Sequence, residues 1–211
     1  VAHMGYVAAL LPELGLEGEA AAAALRALSA RNVPELHALL ERAHAPRAMA
    51  ETLCRFARLY GPLGELLPQL AAAAVNEGMR AACAELAGVA EALEGFGCLG
   101  GVMLDISLMG DMEYYNGLVF KGYVEGAPRA VLSGGRYDAL MRKLGREAGA
   151  VGFAVYLDAL ERLGAPGAAP PAEEELFYAA GASPAETAAA AKRIIARGGR
   201  VRVAREGGER A

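Results

Sequence analysis

The sequence predicts an α+β fold: a helical segment over residues 1–97, an antiparallel sheet after it, and the start of a small α/β domain at the end. Three observations carry that prediction. Apolar residues recur at helical spacing in the first part, as at Leu25 and Leu28 or Leu36, Leu39 and Leu40. After residue 97 the period shortens, and Leu118, Val119, Phe120, Tyr123 and Val124 form a run rich in β-formers. Past Pro170-Pro171, a strand-like run, a helical run and a second strand-like run follow in turn, the order of a βαβ unit.

Taken in order, Pro34 suits the first turn of a helix, with Asn32 as its cap. Pro46 opens a helix over residues 49–60, which Gly61-Pro62 ends. Asn76 caps the helix that carries Met79, Cys83, Leu86 and Val89, and Gly95-Phe96-Gly97 closes it. Residues 99–108, 118–124 and 130–133 read as strands, with Gly126-Ala127-Pro128 turning between the last two. A helix over 138–144 follows, then a buried strand over 151–156 that runs into a helix over 157–163. Residues 164–171, all Gly, Ala and Pro, compose a linker. Beyond it, 176–180 is a strand, Ser183-Pro184-Ala185-Glu186 starts a helix with a capping box, Gly198-Gly199 ends that helix, and 200–205 is a second strand. The domains expected are therefore 1–163, with its helical segment over 1–97, and an incomplete domain over 172–211.

Composition narrows the function classes. The chain has 211 residues, enough for one full domain and part of another, and a formal net charge of -4 argues against an electrostatic nucleic-acid binder. Its three cysteines, with no CxxC, fit a reducing cytosol and a cytoplasmic location. Three histidines argue against a zinc cluster, so neither a metal nor a cofactor is expected. The alanine-rich runs at 20–24 and 71–74 are too short to span a bilayer, and no signal peptide opens the chain. Starting at Val1 and ending just after a strand-like run, the chain reads as a piece truncated at both ends.

Chemistry concentrates in Gly110-Asp111-Met112-Glu113-Tyr114-Tyr115-Asn116-Gly117-Leu118-Val119-Phe120 and in Ser133-Gly134-Gly135-Arg136-Tyr137-Asp138. Adjacent tyrosines on a strand point to opposite faces, so one of Tyr114 and Tyr115 faces a pocket, unless both merely pack with their hydroxyls at the rim. Asn116-Gly117 permits a hairpin turn, but the β-rich run through Phe120 favours one continuous strand. Gly134-Gly135 lets another group approach the backbone closely. Arg136 can fork onto a carboxylate, either a ligand's or a protein's such as Asp138 or Glu113. Asp138 is placed to cap the following helix.

Those motifs resemble the histidine-pocket signature of histidyl-tRNA synthetases. The family's first element looks like Arg-Gly-Leu-Asp-Tyr-Tyr and a strand ending Val-Phe-Glu, matched here at Tyr114, Tyr115, Val119 and Phe120, with Glu113 for the aspartate. Its Gly-Gly-Arg-Tyr-Asp is matched from Gly134 to Asp138, and its Gly-Phe-Ala-Ile-Gly-Leu-Glu-Arg reads Gly152-Phe153-Ala154-Val155-Tyr156-Leu157-Asp158-Ala159. Three ordered motifs make the likeness specific over residues 97–163. It implies a class II synthetase-like antiparallel sheet with a helical insertion, and a histidine site at Tyr115, Tyr137, Gly134, Gly135, Arg136 and Glu113. Yet the arginine that activates the amino-acid carboxylate in the family is Gly110 here, the ATP-bracing arginine is Ala159, and a small glycine has become Tyr156. Adenylyl chemistry relies on such cations to hold developing charge.

With its pocket kept and its catalyst lost, the chain is more similar still to the synthetases' non-catalytic relatives, the regulatory subunits of ATP phosphoribosyltransferase. That resemblance implies no chemistry of its own and a partnership with the short-form catalytic subunit in the first step of histidine biosynthesis. It also implies histidine as a feedback ligand and a homodimer within a hetero-oligomer. The alternative is a fragment of a divergent histidine–tRNA ligase, whose best support is the basic run Lys192, Arg193, Arg197, Arg200, Arg202 and Arg205. No aromatic residues interleave those charges for base stacking, so tRNA is not the expected partner. A third reading is an α+β scaffold with an empty or repurposed pocket.

Overall fold

A computed structural model describes residues 1–108, 115–161, 173–179 and 181–206. By internal contact the chain divides into two compact units, one formed by Val1–Leu86 with Met103–Ala165, the other by Ala87–Val102 with Pro166–Ala211.

The first unit opens with the short strand β1 (Ala2–His3) and α1 (Met4–Leu10). The helices α2 (Gly18–Ser29), α3 (Val33–Arg42), α4 (Arg47–Phe56) and α5 (Leu63–Ala72) follow. Asn32 caps α3 as expected, its side chain accepting from the Glu35 amide at 3.3 Å. The run that starts at Pro46 ends at Phe56, four residues before the expected stop. Tyr60–Pro62 is instead a short strand, β2, because Gly61 and Pro62 pair antiparallel with β3 (Met103–Asp105). The same pairing shortens the strand expected over 99–108, whose first residues, Leu99–Gly101, coil into a 3₁₀ turn.

These helices bury their leucines in one core. Tyr6 and Phe56 meet edge to face, 6.0 Å apart, and both are buried, as are Leu14, Leu28, Leu36, Leu53 and Leu70. The Tyr6 hydroxyl donates to the Leu70 carbonyl at 2.9 Å, and burial pushes its phenol well above the ordinary value. α6 (Glu77–Phe96) begins at Asn76, whose Oδ1 accepts from the Met79 amide at 3.0 Å while its Nδ2 donates to the Ala9 carbonyl at 2.8 Å. No helix among the described residues is long and apolar enough to cross a membrane.

The sheet of this unit runs β1-β4-β5-β6, with β4 (Leu118–Gly122), β5 (Leu132–Arg136) and β6 (Val151–Val155) all antiparallel to their neighbours. This is the antiparallel sheet with helical insertion that the sequence predicts. β4 starts at Leu118, so Tyr115 stands just before it and the chain bends at Asn116-Gly117 rather than running straight. Expected to be buried, β6 is instead the edge strand, with Val151 65% and Phe153 68% exposed. An apolar run at an edge has one ladder partner, and its hydrophobicity does not by itself bring a second layer onto it. α7 (Asp138–Lys143) and α8 (Leu157–Glu161) flank β6 in sequence.

The second unit holds β7 (Glu173–Tyr178), α9 (Pro184–Ala196) and β8 (Arg200–Arg205). β7 and β8 are parallel, as a βαβ unit requires. The expected capping box is not formed: the Ser183 hydroxyl donates to Glu91 at 2.6 Å and leaves the α9 amides uncapped by its side chain. Basic and acidic residues face one another across the two strands, Glu173 opposite Arg200 and Glu175 opposite Arg202, while Arg197 pairs with Glu174.

Candidate functional site

Strand register assigns each motif residue to a face of the sheet. Directly opposed residues of an antiparallel ladder share a face, and successive residues alternate. Ala2, Val119, Gly135 and Gly152 lie opposite one another and form one row. Lys121, Ser133 and Ala154 form the next row on that same face. Leu118, Phe120, Gly134, Arg136, Val151 and Phe153 belong to the other.

Gly135 and Gly152 make a floor for two aromatic rings. A Cβ added at Gly135 would stand 2.6 Å from Tyr115 Cδ1, so the Tyr115 ring lies directly over that backbone. A Cβ at Gly152 would stand 2.8 Å from the Tyr137 hydroxyl oxygen. Only glycine leaves room for either ring to lie so low. The two tyrosines thus sit over neighbouring positions of one face, Cβ positions about 5 Å apart in such a ladder. Tyr115 also packs on Ala2, Met4 and Val119 at the buried end of the row. At the far end the Tyr156 hydroxyl meets Ser133 Oγ at 2.7 Å, Arg129 lies over the Tyr156 ring at 5.9 Å, and Arg129 pairs with Asp158.

Arg136 leaves this face. Its NH1 donates to Glu85 of α6 at 2.9 Å and its Nε to Asp138 at 2.7 Å. His3 Nε2 stands 3.1 Å from the same Glu85 oxygen, while His3 Nδ1 is buried without a partner. Glu85 therefore bridges the first strand of the sheet to its third. Burial opposes ionisation of Glu85, but hydrogen bonds and charge from His3, then Arg136, outweigh it and hold its carboxyl below the usual glutamate value. For Asp138, too, burial pushes the value up. The Ala150 amide and Arg136 more than reverse that and leave its carboxyl low. Asp138 does not cap α7; that position is Tyr137, and the Asp138 carboxylate instead accepts from the Ala150 amide at 2.8 Å.

Of the six residues expected to hold a ligand, Tyr115, Tyr137 and Gly135 come together on one face. Gly134 faces the opposite side, where a Cβ would meet Phe120 Cζ and Phe153 Cβ at 2.7 Å each. Arg136 is the ion-pair residue of that opposite side. Glu113, like Gly110 and Tyr114, lies outside the described residues. Sequence reasoning passed over Gly152 as a floor and Glu85 as the bridge. The first was findable from the period of two along β6 and its pairing with β5; the second was not, being 51 residues from Arg136.

The arrangement offers an aromatic-walled shelf with small residues beneath it, suited to a flat ring presenting hydrogen-bonding nitrogens.

The family model described as Histidyl-tRNA synthetase matches residues 1–160. The ATP phosphoribosyltransferase regulatory subunit of Geobacter metallireducens is 32% identical over 164 residues, which cover 76% of this chain and 38% of that relative. The protein of that name from Desulfitobacterium hafniense strain DCB-2 is 29% identical over 205 residues, 97% of this chain and 52% of the relative. The chain thus spans about half or less of the length of these curated relatives. Among solved structures, an ATP phosphoribosyltransferase regulatory subunit/histidyl-tRNA synthetase from Bacillus halodurans superposes with a TM-score of 0.69 and 26% identity, over 100% of this chain and 54% of that one. A histidyl-tRNA synthetase from Nostoc shares the fold at a TM-score of 0.60 and 16% identity, over 98% of this chain and 52% of that one. With most of its length matched by that family model, the chain belongs to the histidyl-tRNA synthetase family.

Proposed function

We propose that this chain is part of a regulatory subunit of ATP phosphoribosyltransferase: a synthetase-like protein without ligase chemistry that binds free histidine and works with a short-form catalytic subunit. The observation that carries this reading is the pair Tyr115 and Tyr137, laid over Gly135 and Gly152 on one face; the resemblance adds that Ala159 stands where synthetases carry their ATP-bracing arginine. Tyrosine hydroxyls pair both ring nitrogens of an imidazole, and a polar site of this kind discriminates against ligands that leave its groups unpaired. The names of its relatives support the same reading.

Amino-acid activation is not expected. Tyr156, fastened to Ser133 and covered by Arg129, stands where the resemblance implies the synthetases' small glycine, and its bulk would fill nucleotide space there. The charge pairing of β7 with β8 likewise favours a solvated, neutralised surface over a tRNA-binding one. As a feedback regulator the protein has to bind histidine better in one assembly state than in another. The test is to add the full-length protein to a purified short-form catalytic subunit and follow phosphoribosyl transfer to ATP with and without histidine. Activation that histidine reverses supports the proposal; no change in rate sinks it.

A further inference from the structure

We propose that Lys121 is the group that holds the carboxylate of the ligand on the tyrosine face. The inference rests on the reading that this face takes free histidine, and adds Lys121, which stands where the family's Val-Phe-Glu element has its glutamate.

An amino acid whose ring lies between Tyr115 and Tyr137 brings its carboxylate to the same face, where that charge needs a cationic partner or a set of donors. Within the sheet, the next row beyond Gly135 and Gly152 is Lys121, Ser133 and Ala154. Rows on one face are two residues apart, about 6.7 Å along the strand. A lysine stem of four carbons crosses that gap and presents up to three donors. Ala154 is small and exposed, and Tyr156 reaches this row only as far as the Ser133 hydroxyl, leaving Lys121 on the β4 side.

Two arginines of the sheet and its flank are already engaged. Arg129 is paired with Asp158 and stacked on Tyr156. Arg136 is on the opposite face, held by Glu85 and Asp138. The Ser133 hydroxyl shares a hydrogen bond with the Tyr156 hydroxyl and carries no charge. Lys121 is exposed and, among the described residues, makes no ion pair. A carboxylate delivered beside it would give its ammonium a fixed partner. That is the arrangement by which a site accepts an amino acid and discriminates against the corresponding amine or alcohol.

The test is calorimetric titration of the full-length protein with histidine and with histidinol, which keeps the imidazole and the amine but has a hydroxymethyl group for the carboxylate. Lys121 is exposed on its strand, so Lys121→Gln is expected to fold, and Lys121→Arg keeps the charge. The expected result is that Lys121→Gln weakens histidine by at least about tenfold, the scale of a lost charged hydrogen bond, leaves histidinol unchanged, and that Lys121→Arg restores most of the histidine affinity. Unchanged histidine binding in Lys121→Gln overturns the assignment while leaving the tyrosine face as the histidine site. Equal losses for both ligands overturn it too, since they mark a general disturbance of the strand. A wild-type protein that binds no histidine overturns the underlying reading and this inference with it.

Discussion

Replacing Gly135 by alanine tests the tyrosine shelf at its tightest point. The new Cβ would stand 2.6 Å from Tyr115 Cδ1 and 2.7 Å from the Leu118 carbonyl oxygen. The ring can swing aside, but the oxygen is backbone of the paired strand β4, so the ladder itself has to open. Overpacking of that kind costs roughly 1–3 kcal/mol, against which the lower chain entropy of alanine returns about 0.4–1 kcal/mol. The net loss, about 1–2 kcal/mol, lowers Tm by roughly 2–8 °C in a domain of this size. Gly152→Ala is the internal control. The three atoms nearest its Cβ all belong to the Tyr137 side chain, the hydroxyl oxygen at 2.8 Å, and a side chain yields more readily than a ladder carbonyl. Stability should change by under about 1 kcal/mol there, while histidine affinity falls because the hydroxyl has moved. Scanning calorimetry reads the first effect and isothermal titration the second. If Gly135→Ala melts with the wild type, Tyr115 does not lie over that backbone and the shelf is wrong.

Two further outcomes test the supports of the site. Glu85 has a lowered folded pKa, so it stabilises the fold above the ordinary glutamate value of about 4.3, and that stability is lost as pH falls below it towards the folded value. Urea midpoints of wild type and Glu85→Gln should therefore differ at pH 7 and converge on acidification through that range; parallel curves would remove Glu85 from the bridge. Asn76→Ala deletes both the α6 cap and the bond to the Ala9 carbonyl. A loss of about 2 kcal/mol, roughly 4–8 °C in Tm, is expected, with Asn76→Asp intermediate because it keeps the cap; an unshifted melting curve would contradict it.

What was legible in the sequence follows from what acts locally. Asn32, Pro34 and Asn76 mark helix starts because capping is settled within four residues. The βαβ order of the last unit was equally plain, since strand and helix periods alternate across it. Misreadings arose where a distant partner decided. Gly61-Pro62 looks like a helix stop, yet it becomes a strand because Met103 and Leu104 reach it. Ser183 has a capping-box neighbour in Glu186, but Glu91 takes its hydroxyl. The strand over 151–156 is apolar enough to be central, although its place in the strand order makes it an edge.

The candidate site divides along the same line. Tyr115, Tyr137 and Gly135 were named from the motifs of the resemblance, while the lie of each ring over a glycine came from the structure. Arg136 and Gly134 share the motif but not the face, a distinction that needs the register Gly135 opposite Gly152 rather than the motif alone. Asp138 was assigned a cap from its position before a helix, whereas its carboxylate faces the Ala150 amide that the returning strand brings to it.

The most direct measurement is the thermal shift of the full-length protein with histidine alone, with ATP alone and with both. A ligand at about a hundred times its Kd adds roughly 2.7 kcal/mol, or on the order of 5–11 °C here. A regulator with the tyrosine shelf and without the arginines of the ligase is stabilised by histidine, not by ATP, and gains nothing from the pair beyond histidine alone. Stabilisation by ATP, or a joint shift larger than the sum of the two, would contradict the account and point to a working ligase site.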